Sequence, residues 1–232
     1  VFNTWNDPAK FGLFYHSALI TRRGDVKPAE KSVAVRIDDM SLVPNTIPAL
    51  SLISEKCKVG LEFEGQGKTG DKTVAWNEET VDKSAGEIKS DTGELYRSWK
   101  KRIGFIDTEN TKAAYGFLGE AGEISLNGMK LDVKTDFATI ALSSLTDAPI
   151  SKSDNMLLTT VGRSENTNMK FNEDHTLMLN VGQAPILVEV IDAEIRIKTE
   201  VPNLRVWSIF RRNIKTVYSN SSWVRSSRPC II

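Results

Sequence analysis

From Ser32 onward, apolar residues recur at every second position over short runs, the period of a strand with one buried and one wet face. Val33, Val35 and Ile37 alternate in this way, and so do Val59, Leu61 and Phe63. The same period, carried largely by β-branched and aromatic residues, predicts strands over residues 94–99, 103–107, 113–118, 124–126 and 129–133. It continues over 137–142, 156–161, 177–179, 186–190 and 194–198. Turn signals separate the runs at Asp91-Thr92-Gly93, Asn127-Gly128 and Pro202-Asn203, and Asn127-Gly128 between two alternating runs predicts a tight hairpin. Many short strands with frequent turns predict an all-β fold, an antiparallel β-sandwich of jelly-roll-like type.

Ahead of Ser32 the period is helical. Phe11, Phe14, Tyr15 and Ala18 form one stripe, Pro8 suits a first turn, Asn6 or Asp7 can cap it, and Gly24 can close it. Helix is expected mainly over residues 8–21. Residues 40–52, apolar and holding Pro44 and Pro48, read as a packed connection, and the Gly-, Lys- and Thr-rich residues 65–86 read as a long hairpin tip. After Ile209 the alternation breaks into a Ser- and Arg-rich stretch unlike a domain terminus. The expected division is therefore 1–31, 32–209 and 210–232, the last an atypical or non-native tail.

Composition narrows the partners. Lys+Arg and Asp+Glu number 30 each, so no net charge draws the chain onto nucleic acid or anionic lipid, and an uncharged ligand such as sugar fits better. No apolar run is long enough to span a bilayer. Cys57 and Cys230 are too few for a disulfide framework, and with His16 and His175 they lack the close paired spacing of a zinc site. No cofactor is expected, with a structural calcium ion left open. The chain opens at Val1 with neither initiator Met nor signal-type segment, as a piece of a longer protein would, so localisation stays unknown.

Three patterns bear on chemistry. Gly65-Gln66-Gly67-Lys68-Thr69-Gly70 matches a phosphate-loop spacing, but such a loop needs a helix directly after it and Thr73-Val74-Ala75-Trp76 is strand-like. Gly162-Arg163-Ser164-Glu165-Asn166 approaches a serine-nucleophile elbow with Asn166 in place of the last glycine; His175 could join Ser164 in an esterase-like pair. The adjacent acids Glu78-Glu79 point to opposite faces on a regular strand and cannot serve as a facing glycosidase pair without a bulge; Asp38-Asp39, Glu120 and Glu123 are not singled out either, and the acids read as solvated. Aromatics offer more. Sugars present C–H faces that stack on rings while polar neighbours bond the hydroxyls. Trp76, Tyr96, Trp99 and Tyr115 are the candidate rings, set against core packing as the ordinary fate of such residues.

The opening Trp5-Asn6-Asp7-Pro8-Ala9-Lys10-Phe11-Gly12-Leu13-Phe14, followed by residues 18–28, resembles the end of the catalytic barrel in bacterial glycoside hydrolases of the cellulase-like (β/α)8 superfamily. Residues 91–96, 105–108, 111–117 and 161–167 look like the C-terminal sandwich of those enzymes, and 188–197 and 206–209 are similar to its last strands. The resemblance implies a remnant of the last barrel helix, then an ancillary sandwich whose partners are plant polysaccharide or oligosaccharide and its own catalytic barrel. Both catalytic carboxylates of that superfamily sit on barrel strands ahead of this segment, so no residue here inherits a catalytic role. Trp5 alone inherits a candidate role, as a sugar-stacking aromatic. A last strand is expected after Ile209, and residues 210–232 do not resemble one. The sandwich edge is then left incompletely paired, open to residues 216–219 or to a second molecule in an edge-paired homodimer. The expected function is a non-catalytic carbohydrate-binding or structural accessory domain; the alternative is a fragment with hydrolase activity of its own, glycosidase before esterase.

Overall fold

Strands dominate, as the alternation predicts, and the all-β class holds. The computed structural model describes residues 8–37, 48–63, 70–75, 81–207, 216–218 and 223–226. They belong to two units, residues 1–25 with 109–232 and residues 26–108, where the sequence placed boundaries at 31 and 209. None of the described helices is long and apolar enough to cross a membrane.

The chain enters on α1 (Pro8–Arg23), which ends where Gly24 takes up φ 63° and Asp25 N–H reaches back to the Ile20 carbonyl at 3.1 Å. A left-handed residue at this point costs least as glycine, so the expected cap is in place.

In the unit of residues 26–108, β1 (Ser32–Ile37) lies between β2 (Lys58–Phe63) and β3 (Lys72–Ala75), parallel to both. Two expectations are corrected here. The strands are not antiparallel, because a period of two says which residues share a face and nothing about strand direction. The connection between β1 and β2 holds a second helix, α2 (Pro48–Lys56), in place of an irregular packed segment. Pro48 stands at the first helical position, where no amide hydrogen is required. The supposed hairpin tip is likewise occupied in part by β3 and by a turn of 3-10 helix (Lys83–Ala85), capped by the Asp82 side chain on Ser84 N–H at 2.8 Å. A meander of β4 (Glu87–Lys89), β5 (Leu95–Ser98) and β6 (Ile103–Asp107) completes the unit. Its small core gathers Ile53, Cys57, Val81 and Ile88, with Val33, Val59 and Trp99 packed against it.

In the other unit, β10 (Ala138–Ser144) runs antiparallel between β7 (Thr111–Gly116) and β11 (Met156–Val161). The strands β8 (Ile124–Leu126) and β9 (Met129–Val133) form the hairpin expected at Asn127-Gly128. Next come β12 (Ser164–Thr167), β13 (Lys170–Phe171), β14 (Met178–Asn180) and β15 (Gln183–Val188), which fold into an arm. Strand β16 (Ala193–Lys198) pairs with β9. Leu118, Met129, Leu131, Ile140 and Leu142 are fully buried, each contributing on the order of 2 kcal/mol by leaving water. Helix α1 lies on β10 and β11. It approaches closely at Gly12, where a β-carbon would stand 3.3 Å from Thr159 Cγ2.

The tail carries strands. The last stretch of regular alternation, β17 (Arg205–Trp207), pairs with β18 (Thr216–Tyr218), and β19 (Trp223–Ser226) lies antiparallel along β16 at the sheet edge. An edge position is the one expected for an ordered tail: β18, within the expected residues 216–219, adds along β17, and β19 adds along β16.

Candidate functional site

The meander β4–β5–β6 places its side chains by alternation. Register sets Tyr96 opposite Phe105 and Lys89, and Ser98 opposite Glu87 and Ile103, so these residues share one face. Tyr96 and Phe105, both half-buried, stack with ring centroids 5.2 Å apart and planes 12° apart. The Tyr96 hydroxyl donates to Glu87 Oε2 at 2.6 Å. Partial burial, with Glu87 as acceptor and as a nearby negative charge, raises the phenol above its usual range and keeps it protonated. Two rings, a carboxylate and the exposed Lys89 therefore sit together on one strand face. Of these, only Tyr96 was singled out in the sequence. Phe105 alternates like a core residue, and only the cross-strand register reveals it as the neighbour of Tyr96.

Trp99 has a different fate. It packs on the Ile53–Cys57–Val81–Ile88 core while the Arg97 guanidinium lies over its ring, 5.5 Å from the centroid. Arg97 is itself held by Glu55 of α2 through a forked pair of bonds at 2.7 and 2.6 Å. Helix, strand and ring are thus locked together, and the ring serves the core. Tyr115 belongs to the other unit, on β7 opposite Thr139 of β10, and is 40% exposed. Nearby in sequence, Phe117 and Phe137 meet edge-on at 5.5 Å and Arg163 stacks over Phe137 at 5.7 Å. Trp5 and Trp76 lie outside the described residues.

The esterase-like pair does not form. Ser164 pairs with Val188 at the base of the arm, whereas His175 stacks on Phe171 at its tip with centroids 5.2 Å apart. Six residues lie between Ser164 and Phe171, and the two belong to different strand pairs, β12–β15 and β13–β14.

A different serine–histidine contact is present, and sequence reading missed it. His16 of α1 is 3% exposed; its Nδ1 lies 2.8 Å from Ser143 Oγ, and its Nε2 lies 2.8 Å from Thr159 Oγ1. Ser143 Oγ is 2.9 Å from Thr111 Oγ1, which donates to Asp25 Oδ2 at 2.8 Å. Arg23 grips Asp25 with bonds of 2.9 and 2.7 Å and the Ser144 carbonyl with one of 2.6 Å. The proton order follows from the acid end. Thr111 gives its one hydroxyl proton to Asp25, so Ser143 donates to Thr111 and accepts from His16 Nδ1–H, leaving Nε2 to accept from Thr159. Burial pushes the imidazole down to about 4, so this neutral tautomer is the form present. In a catalytic triad the acid stands on the far nitrogen of the histidine and the serine faces a cleft. Here the acid lies beyond the serine, and Ser143 is fully buried. The network fastens α1 to β7, β10 and β11.

Of the acids weighed in the sequence, Glu123 is tied by Lys130 at 2.9 Å and Arg196 at 3.4 Å, and Arg196 also binds Glu194 at 2.6 Å. Asp38, Asp39, Glu78 and Glu79 lie outside the described residues. Among the described residues no three His, Cys, Asp or Glu side chains gather as metal ligands. No protein-family model, curated protein or solved structure matches this chain.

Proposed function

We propose that this chain is a non-catalytic accessory domain of a glycoside hydrolase acting on plant polysaccharide, and that it contacts sugar through the Tyr96–Phe105 face. The observation that carries this reading is the ring pair itself, stacked, half-exposed and bonded to Glu87. A pyranose face laid on the rings brings its hydroxyls to the second oxygen of Glu87 and to Lys89, the combination of apolar stacking and directional polar groups by which neutral sugars are held. Trp99 is removed from the binding set, since core and guanidinium occupy it.

A structural role beside this one rests on α1. Its outer face presents Phe11, Phe14 and Tyr15 at 55, 49 and 57% exposure, with Phe11 and Phe14 in ring contact at 5.6 Å. A helix whose aromatic stripe points away from its own sheet is built to be covered, as a last barrel helix seated against its barrel would be.

Affinity electrophoresis and calorimetry against soluble glucans, xylans and mannans test the sugar contact. Tyr96→Ala and Phe105→Ala should each weaken binding by about tenfold, the loss of roughly one stacking contact. Absence of binding to every glycan, or binding that both variants leave intact, refutes the Tyr96–Phe105 face.

A further inference from the structure

A second group of rings lies on the sheet of β7, β10 and β11. Tyr115, Thr139 and Val161 stand in one cross-strand row, on the face where His16 of α1 meets Ser143 and Thr159. Phe137 precedes Thr139 by two residues and Arg163 follows Val161 by two, so alternation carries both to that face. There the Arg163 guanidinium lies 5.7 Å from the Phe137 ring centroid, and Phe117 meets the same ring edge-on at 5.5 Å. Helix α1 covers the face on β10 and β11, while Tyr115 on β7 remains 40% exposed.

The polar groups around these rings are held in place. Arg163 donates to Asp136 Oδ2 at 3.0 Å and lies 3.8 Å from Glu189 Oε1, and its backbone amide donates to Glu189 Oε2 at 2.9 Å. One guanidinium against two carboxylates leaves an excess of negative charge, which disfavours an anionic ligand. The ring face that a cationic ligand would take is already covered by Arg163 itself. What a ligand can still reach is the Tyr115 ring and the Asp136 carboxylate, whose side chain is 50% exposed. A flat apolar surface beside hydrogen-bond acceptors suits an uncharged, hydroxyl-rich ring.

We propose that Tyr115 and Asp136 form a second carbohydrate face, which takes an uncharged sugar unit. Tyr115 stacks on the C–H face of the sugar, and Asp136 accepts from its hydroxyls. Phe117, Phe137 and Arg163 act as positioning residues: the rings seat the guanidinium, and the guanidinium holds Asp136. A carboxylate fixed before the ligand arrives has less freedom to lose on binding. This face rests on the sugar-binding reading of the chain for its class of ligand, and it shares no side chain with the Tyr96–Phe105 face.

Calorimetry on the full chain with cellohexaose, xylohexaose and mannohexaose should resolve two sites for at least one of the three. Tyr115→Ala should weaken one site by about tenfold and leave intact the site that Tyr96→Ala weakens. Asp136→Ala, at an exposed side chain, should weaken the same site as Tyr115→Ala by about fivefold with unchanged far-ultraviolet circular dichroism. A single site that neither Tyr115→Ala nor Asp136→Ala alters, and that Tyr96→Ala weakens, overturns the second face and leaves the Tyr96–Phe105 face standing. A single site lost in Tyr115→Ala and untouched by Tyr96→Ala and Phe105→Ala supports the second face and refutes the first. Absence of binding to all three oligosaccharides overturns both. Binding of choline or of a galacturonate oligomer that is lost in Tyr115→Ala overturns the uncharged class of ligand.

Discussion

Acid should loosen α1 from its sheet through His16. The imidazole is buried and neutral, held down to about 4 against an ordinary 6.5. Above pH 6.5 neither the folded nor the unfolded chain binds this proton, and stability does not depend on it. As the pH falls from 6.5 to 4, the unfolded chain takes the proton while the folded chain does not, so stability drops by about 1.4 kcal/mol per pH unit, to a total of roughly 3 kcal/mol. Below pH 4 both states are protonated and the loss levels off. Carboxylates titrate over part of the same range, so the informative quantity is the difference from a variant that cannot titrate here. His16→Gln supplies one neutral donor and one acceptor in place of the ring and should cost about 1–2 kcal/mol at pH 7 through poorer packing and altered bonds to Ser143 and Thr159. Urea unfolding of both proteins from pH 7 to pH 4.5 should then show the gap closing by about 2 kcal/mol, because only the parent loses His16-linked stability. A gap that stays constant over this range refutes the neutral, buried imidazole and with it the proton order running to Asp25.

Two further outcomes probe the cores. Leu131→Ala, at a fully buried position in the middle of β9, should destabilise the chain by about 2–5 kcal/mol in urea unfolding, and a loss below about 1 kcal/mol would mean the site is not tightly packed. Cys57, whose thiol is pushed up first by burial and then by Asp91, should resist an aromatic disulfide reagent at pH 8 until urea is added, read in the Cys230→Ser background; prompt reaction without denaturant contradicts its place among Ile53, Val81 and Ile88.

The strands were legible because a half-buried strand must alternate. Residues 103–107, 124–126, 129–133 and 156–161 match β6, β8, β9 and β11 to the residue. What alternation does not carry is direction, and the parallel β1–β2–β3 group was out of its reach. A parallel pair needs a crossover, and the only local sign of one was the apolar segment ahead of Cys57. There residues 40–52 were read as a packed connection, and Pro48 in fact opens α2. Strand β4 was missed for a simpler reason: Glu87-Ile88-Lys89 is three residues long and shows only one apolar position.

Site residues were harder to read, and the physical reason differs for each. In Glu94–Trp99 the structure divides the two rings: Tyr96 shares a face with Glu87, and Trp99 packs on the core that holds Ile53. Which ring would do which depended on where β5 ends, for Trp99 follows the last strand residue and is free of the alternation that governs Tyr96. Phe105 and Glu87 needed register, which two strands settle together and neither sequence run holds alone. The His16 network lies further still from local pattern. Its bonds span 127 and 143 residues, and Ser143 and Thr159 are unremarkable hydroxyls on apolar strands. Their one local trace is Gly12. It stands one turn before His16 and lets the helix sink until a ring nitrogen can reach each strand, so a glycine inside an otherwise aromatic helix marks the face that meets a sheet. By the same reasoning the stripe of Phe11, Phe14 and Tyr15 belongs to the opposite side. The polar residue His16 faces inward and the aromatics face outward, the reverse of the usual amphipathic order.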